Sequence, residues 1–377
     1  MTDISRRMIE APQRPVGMYS PFRHVQDIVW KRRPIQLTFF VTRRCNAGCP
    51  FCFSLRAAEP LGNGSPELSI GEIRRISASI GPLLWLAFSG GEIFLRDDLT
   101  EIASIFYRTN RPAIMLFPTN GLLPEVIRDT VEKVLQTCPK SIIVVKLSLD
   151  GLGLAHDMLR NTPGSFDKTM ETYRLLEGFI DDYPQFELGV NTVFCSENQD
   201  RMDAIIDFVA GLEKVTTHTL SLVRGDLVNE QYKNVDHEKY RRAIERLAKD
   251  LQGGTARTYR FRGGRLKAAQ DILQRRLIYR TVQEQRRVIP CYAGRLNLVL
   301  RENGDVYPCE ILPECFGNVR DHDHDLRKVM RSEEAREIIA SISAKKCRCT
   351  HECYFMTNIL FNPRLYPALA REYLRLG

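Results

Sequence analysis

Between residues 35 and 252, six short apolar runs alternate with six amphipathic stretches, and that alternation leaves few architectures open. The runs Ile35–Val41, Leu83–Phe88, Ala113–Phe117, Ile142–Leu149, Phe186–Phe194 and Thr216–Val223 are almost continuously hydrophobic, as parallel strands covered on both faces must be. The helical pattern is clearest after Ser69. There Glu72 completes a capping box, and Ile70, Ile73, Ile76 and Ile80 recur at helical spacing. Further helices are expected over Asp97–Arg108, Pro124–Thr137, Ser165–Ile180, Gln199–Leu212 and Asp236–Leu251. Such alternation predicts a parallel α/β unit, closed or partly closed.

The cysteines indicate what this unit carries. Eleven in 377 residues are too few for a small disulfide scaffold, but they are crowded. Cys45, Cys49 and Cys52 fall within eight residues, and Cys347, Cys349 and Cys353 within seven, which favours metal ligation. The first fifteen residues hold no apolar core fit for a signal peptide, and no stretch approaches the ~18–20 apolar residues of a membrane span. The expected compartment is therefore the reducing cytoplasm, where thiols stay free for metal. The Cys45–Cys52 loop directly follows the first strand, at the end where α/β barrels place their chemistry. Three thiolates do not complete a zinc site, which would borrow a fourth ligand. An iron–sulfur cluster held by three cysteines leaves one iron open to a small molecule.

The CxxxCxxC loop, with Phe51 just before its last cysteine, is similar to the signature of the radical S-adenosylmethionine superfamily. Other strand ends match in order: Ser89-Gly90-Gly91-Glu92, Thr119-Asn120-Gly121, Ser148 with Asp150, Asn191, and Leu222-Val223-Arg224. The resemblance implies a partial (β/α)6 TIM-type barrel, with a [4Fe–4S] cluster on Cys45, Cys49 and Cys52 whose open iron is chelated by S-adenosylmethionine. It further implies cosubstrate contacts from Phe51, Gly90, Gly91, Glu92, Asn120, Ser148, Asp150, Asn191 and Val223. Two glycines let backbone approach a ligand, and Glu92 offers an acceptor to the methionine amine.

Beyond the barrel, Cys291, the Gly304–Cys309 unit, Cys315 and the terminal trio resemble the SPASM or shorter twitch auxiliary-cluster domains. Two all-cysteine clusters need more thiols than this region holds. The expectation is one auxiliary [4Fe–4S] cluster on Cys291, Cys309, Cys353 and either Cys347 or Cys349. A second, incompletely ligated cluster using Cys315 and a structural zinc are the alternatives. Cys138 and Cys195 read as packed residues, with Cys195 the one candidate for a hydrogen-atom donor in a radical epimerase. His351 and Glu352 are expected to support the cluster or face solvent. The run Asp321-His322-Asp323-His324-Asp325 reads as a solvated loop.

The expected organisation is thus an amphipathic extension (1–34), the barrel (35–252), a basic helical linker (253–289), the small cluster domain (290–356) and a tail (357–377). In the extension, Phe22–Trp30 followed by Lys31-Arg32-Arg33 reads as a helix closing one barrel end, with docking on a membrane surface as the other reading. The linker is electrically distinct. From Arg257 to Arg287 ten basic residues meet two acids, so it alone accounts for the formal charge of +8. Arg265, Arg276, Arg280 and Arg287 project within an arc of about 60°. That edge could dock an acidic flavodoxin- or ferredoxin-type electron donor, hold an acidic or phosphorylated substrate, or simply be solvated. No RNA-binding module accompanies it, so nucleic acid is not an expected partner.

The implied activity is reductive cleavage of the cosubstrate and hydrogen abstraction from a substrate carbon, with net oxidation through the auxiliary cluster. The substrate is expected to be a peptide or a small molecule such as a sugar, lipid or antibiotic precursor. The 44 residues before Cys45 are fewer than a fused leader-peptide-binding domain requires, which weighs against the peptide. A rearrangement enzyme or a non-catalytic iron–sulfur or zinc scaffold are the competing readings.

Overall fold

A computed structural model describes residues 17–53, 66–344 and 347–376. The first sixteen residues of the expected extension and the last residue of the tail lie outside them. The six expected strands form within one or two residues of their anticipated bounds: β1 Gln36–Thr42, β2 Trp85–Gly90, β3 Ile114–Thr119, β4 Ile142–Ser148, β5 Phe186–Phe194 and β6 Thr217–Leu222. All neighbouring pairs among them are parallel. Alternate residues such as Leu37, Phe39, Leu86, Phe88, Val145 and Leu188 face the outer helices in one hydrophobic core. Helix α1, Ile70–Ser79, starts with the anticipated capping box.

The barrel stays open, and the sheet does not end at β1. The carboxy-terminal region adds β7 (Asn297–Leu300), β8 (Asp305–Tyr307) and β9 (Gly317–Asn318), giving the order β6-β5-β4-β3-β2-β1-β7-β8-β9. Strand β7 pairs parallel with β1, Gln36 opposite Asn297. The cluster region is therefore continuous with the barrel sheet, because Leu296–Leu300 is a short apolar run that fits beside β1.

Three elements occupy the flanks. The basic helix Gly264–Glu284 packs against Tyr366–Arg375, so part of the expected tail is helical. Helix Glu352–Leu360 lies on the inner face of the open sheet, with Met356 against Trp85 and Ala87, and Thr357 Oγ1 accepting from Asn297 Nδ2 at 2.8 Å. The segment Pro21–Ile28 lies across the amino ends of β2–β4, where Arg23 donates to the Leu83 carbonyl (2.7 Å) and Tyr19 N–H to that of Lys140 (2.8 Å). The Asp/His run is not a free loop. His324 Nε2 lies 3.2 Å and Arg320 Nε 2.7 Å from Glu72, bracketing the cluster region to α1.

The basic edge is largely used internally. Arg265 donates to the Leu376 carbonyl (2.9 Å), Arg276 bridges Glu245 and Glu372 (both 2.7 Å), Arg280 pairs with Glu284, and Arg287 reaches Cys347.

Candidate active site

The carboxyl ends of β1–β6 surround the loop that carries Cys45, Cys49 and Cys52. Strand β2 fixes the root of that loop: Gly91 N–H donates to the Thr42 carbonyl (2.9 Å) and Glu92 N–H to that of Arg44 (2.8 Å). A Cβ on Gly90 would stand 2.2 Å from the Thr42 oxygen, and one on Gly91 2.0 Å from the Arg44 oxygen. The close approach these glycines permit is to the chain's own thiol loop.

Glu92 is buried at the end of β2 and accepts from Asn120 N–H (2.8 Å), Thr119 Oγ1 (2.9 Å) and Phe94 N–H (3.3 Å). Burial pushes its carboxyl up to about 7 against the pull of those bonds. Asn120 Nδ2 donates to Asn46 Oδ1 (2.7 Å) and to Cys45 Sγ (3.9 Å). One chain of hydrogen bonds thus links β2, β3 and the thiol loop.

Asp150 is anchored by four partners of its own chain. Its side chain is fully buried, with one oxygen accepting from Arg160 Nε (2.9 Å) and the other from Val193 N–H (2.7 Å). Its N–H donates to His156 Nδ1 (3.1 Å), and its carbonyl accepts from Asn198 Nδ2 (2.9 Å). The carboxylate is thus committed to Arg160 and to the backbone of β5. Burial pushes the Cys49 thiol up to about 11, and Arg160 is the cation that draws it back. Sequence reasoning missed Arg160, since a lone arginine ten residues after Asp150 has no signature.

Ser148 and Asn191 are partners in the β4–β5 register, both half-exposed, and Asn191 Oδ1 accepts from Ser221 (3.0 Å). Phe51 and Val223 pack together with Leu159 and Leu227, the Phe51 ring 5.8 Å from that of Tyr232. Cys195 belongs to the same apolar group, fully buried, its thiol pushed up to about 12 by burial.

The second thiol group gathers above β1 and β7. Cys291, Cys309, Cys347 and Cys353 pack against the buried group of Phe40, Val299 and Tyr354, as does Phe53, the residue after Cys52. Cys349 interacts electrostatically with Cys291 and Cys347, and burial pushes it up to about 12. Arg287 Nη2 donates to Cys347 Sγ at 2.8 Å. Cys315 points elsewhere, its sulfur 3.3 Å from the Val306 carbonyl and from Gly317 N–H. His351 and Glu352 are both buried, so neither faces solvent. Burial and Arg224 oppose a charge on His351, yet Glu310 at 2.6 Å holds it up to about 9. Arg224, at the end of β6, donates to Glu352 Oε2 at 2.6 Å and thereby joins the mouth of the barrel to the second thiol group.

No three His, Cys, Asp or Glu side chains among the described residues are grouped to hold a single metal ion. The thiols instead lie as neighbours in two places, three on the first loop and five in the second group. That donor chemistry fits iron–sulfur clusters.

Fold and site together define an open α/β barrel with a three-thiol loop at its catalytic end and a thiol-rich extension of its sheet. Sequence comparison agrees: the profile of the radical SAM superfamily matches residues 39–209, and that of the SPASM iron–sulfur cluster-binding domain residues 291–354. The chain belongs to the radical SAM superfamily, and its carboxy-terminal region is a SPASM domain. Such barrels bind a [4Fe–4S] cluster and S-adenosylmethionine, and SPASM domains bind auxiliary iron–sulfur clusters.

Among similar proteins, an AdoMet-dependent heme synthase of Methanosarcina barkeri is 26% identical over 85% of this chain and 89% of its own length. The subtilosin biosynthesis protein AlbA of Bacillus subtilis is 27% identical over 76% of this chain and 57% of its own length. The solved structure of native anSMEcpe with bound AdoMet superposes with a TM-score of 0.59 at 16% identity, covering 90% of this chain and all of that one. No helix among the described residues is long and apolar enough to cross a membrane.

Proposed function

We propose that this chain catalyses a net oxidation at a substrate carbon, the electron leaving through the SPASM domain. The observation that carries the proposal is Phe53. It follows Cys52 directly and packs against the apolar group of Phe51 and Val223. It also packs against the buried group that carries Cys291, Cys309, Cys347 and Cys353, which supports one space bordered by both thiol groups. Bound there, the first cluster and S-adenosylmethionine would supply a 5′-deoxyadenosyl radical, and an auxiliary cluster would accept an electron from the substrate radical.

In this reading Cys45, Cys49 and Cys52 hold the first cluster. Cys291, Cys309, Cys353 and one of Cys347 or Cys349 hold a single auxiliary [4Fe–4S] cluster. Cys315 is left out because its sulfur is engaged by backbone on the far side of β8. Gly91, Glu92 and Asn120 set the loop, while Ser148 and Asn191 offer polar groups to the ribose and carboxylate of the cosubstrate. Phe51 and Val223 form the apolar floor near the adenine. Cys195 is fully buried within the apolar group of Phe51 and Val223, so an epimerase reading gains no support from it.

Similarity to proteins named as a heme synthase, a bacteriocin biosynthesis protein and a mycofactocin maturase supports a tetrapyrrole or a peptide side chain as the substrate. A flavodoxin- or ferredoxin-type donor would supply the first electron. The test is anaerobic reconstitution followed by reductant and cosubstrate. About eight irons per chain and formation of 5′-deoxyadenosine are expected. Cys45→Ala should abolish cleavage and Cys309→Ala should retain part of it. Normal cleavage by both variants would overturn the assignment.

A further inference from the structure

The segment before β1 is folded with its polar side inward. His24 and Asp27 are buried, and Asp27 is held by both Nε and Nη2 of Arg33 at 2.9 Å. Outward stand Met18, Phe22, Val25, Val29 and Trp30, with Phe22 72% and Val29 76% exposed. Among the described residues, five of the fourteen exposed large hydrophobic side chains therefore fall within thirteen consecutive positions. A monomer surface seldom leaves such a cluster without use.

The surroundings of the patch are cationic. Arg32 is exposed beside it, as are Arg111 and Lys140 on the loops the segment touches, and Arg295 next to Tyr292, on whose ring Lys31 rests at 4.9 Å. The loops 80–84, 110–113, 138–141 and 292–296 contain no Asp or Glu, and within 17–34 the only acid is the buried Asp27. Charge complementarity therefore calls for an anionic partner. A second copy of the chain would bring like charge to like. An acidic electron donor is a poor match in position, because this face lies at the amino ends of the strands. At ~3.3 Å per residue, a strand length of roughly 20 Å separates it from the thiol loop.

We infer that this face docks on an anionic lipid surface. Phe22, Val25, Val29 and Trp30 enter the headgroup boundary, Arg32, Arg111 and Lys140 meet lipid phosphates, and the site opens away from the bilayer. The inference is independent of the reaction assigned to the site.

The test is flotation of the full, reconstituted chain with vesicles of phosphatidylcholine, with and without about a third phosphatidylglycerol. Binding at least about tenfold stronger to the anionic vesicles is expected, weakening as salt rises toward about 0.5 M. Trp30 and the buried Trp85 are the two tryptophans, so a blue shift of emission on binding that Trp30→Phe removes reports insertion of this face. Phe22→Asp with Val29→Asp should reduce binding tenfold or more while iron content and 5′-deoxyadenosine formation stay unchanged, and Arg32→Glu should weaken it without unfolding. Absence of binding at low salt, or binding indifferent to these substitutions, would overturn the inference. So would a dimer in the absence of lipid that Phe22→Asp disrupts, or an acidic flavodoxin shifting Trp30 emission where vesicles do not.

Discussion

Replacing Arg160 with methionine should be among the most damaging single changes in the barrel. Its guanidinium lies 2.9 Å from Asp150 with both side chains almost wholly buried, 8% and 0% exposed. At an effective dielectric of about 20, unit charges at that separation attract by about 6 kcal/mol. Desolvation has already consumed much of that, so the pair adds little relative to an apolar substitute. Removing only the cation is different, because the Asp150 charge would remain buried with Val193 N–H as its last hydrogen-bond donor. The loss should be about 3–5 kcal/mol, a drop of roughly 4–6 °C in Tm for a chain of this size. Removing both charges in Asp150→Asn/Arg160→Met should recover at least about half of it, since the amide can still accept from Val193. Thermal melts of wild type, the two single variants and the double variant, run anaerobically, close the cycle. A loss below about 1 kcal/mol in Arg160→Met, or a double variant no better than that single one, would refute the argument.

Gly91→Ala forces a Cβ to 2.0 Å from the Arg44 oxygen and should cost about 3 kcal/mol together with the iron of the first cluster. Gly71→Ala, in open space within α1, should gain about 0.5–1 kcal/mol, as paired chemical denaturation would show. Cys309→Ser should remove about four irons per chain, whereas Cys315→Ser should remove none; equal loss would return Cys315 to the ligand set. His24 accepts from Arg23 Nε at 3.2 Å, and its folded value is pulled down to about 4, chiefly by burial. Because the unfolded imidazole binds its proton more readily, this stability is complete above about pH 6.5 and declines as pH falls toward 4, by roughly 1 kcal/mol per unit. Trp30 emission should follow detachment of the segment over that window, and His24→Gln should flatten the profile.

The strands and the first thiol loop were legible because their determinants are local. A run buried on both faces must be apolar throughout, and three cysteines within eight residues must stay neighbours on one loop. Strand β7 was not legible, since four residues paired with a strand some 260 positions away carry no pattern distinguishable from a turn-rich linker. The second thiol group was half legible: its residue types were evident, but that Cys315 turns its sulfur to the β8–β9 backbone is a fact of packing.

The charges were the least legible feature, for a physical reason. Sequence shows where a cation is attached, whereas its role depends on where a long side chain ends. The linker gathers the chain's excess positive charge in one segment, which reads as an electropositive face. Folding disperses it: Arg265 ends on a carbonyl of the last helix, Arg276 between two distant glutamates, and Arg287 on Cys347. Arginines from outside the linker do the corresponding work elsewhere, Arg160 beside Cys49 and Arg224 beside Cys349 and Cys353. Thiolates in a desolvated site need such cations, because burial alone drives Cys49, Cys309 and Cys349 toward the protonated form. The buried arginines are thus better understood as part of what keeps two thiol groups ready for iron than as a surface awaiting an acidic partner. Exposed cations with no such internal task, Arg32 and Lys140 among them, stand around Phe22, Val29 and Trp30 at the opposite end of the barrel.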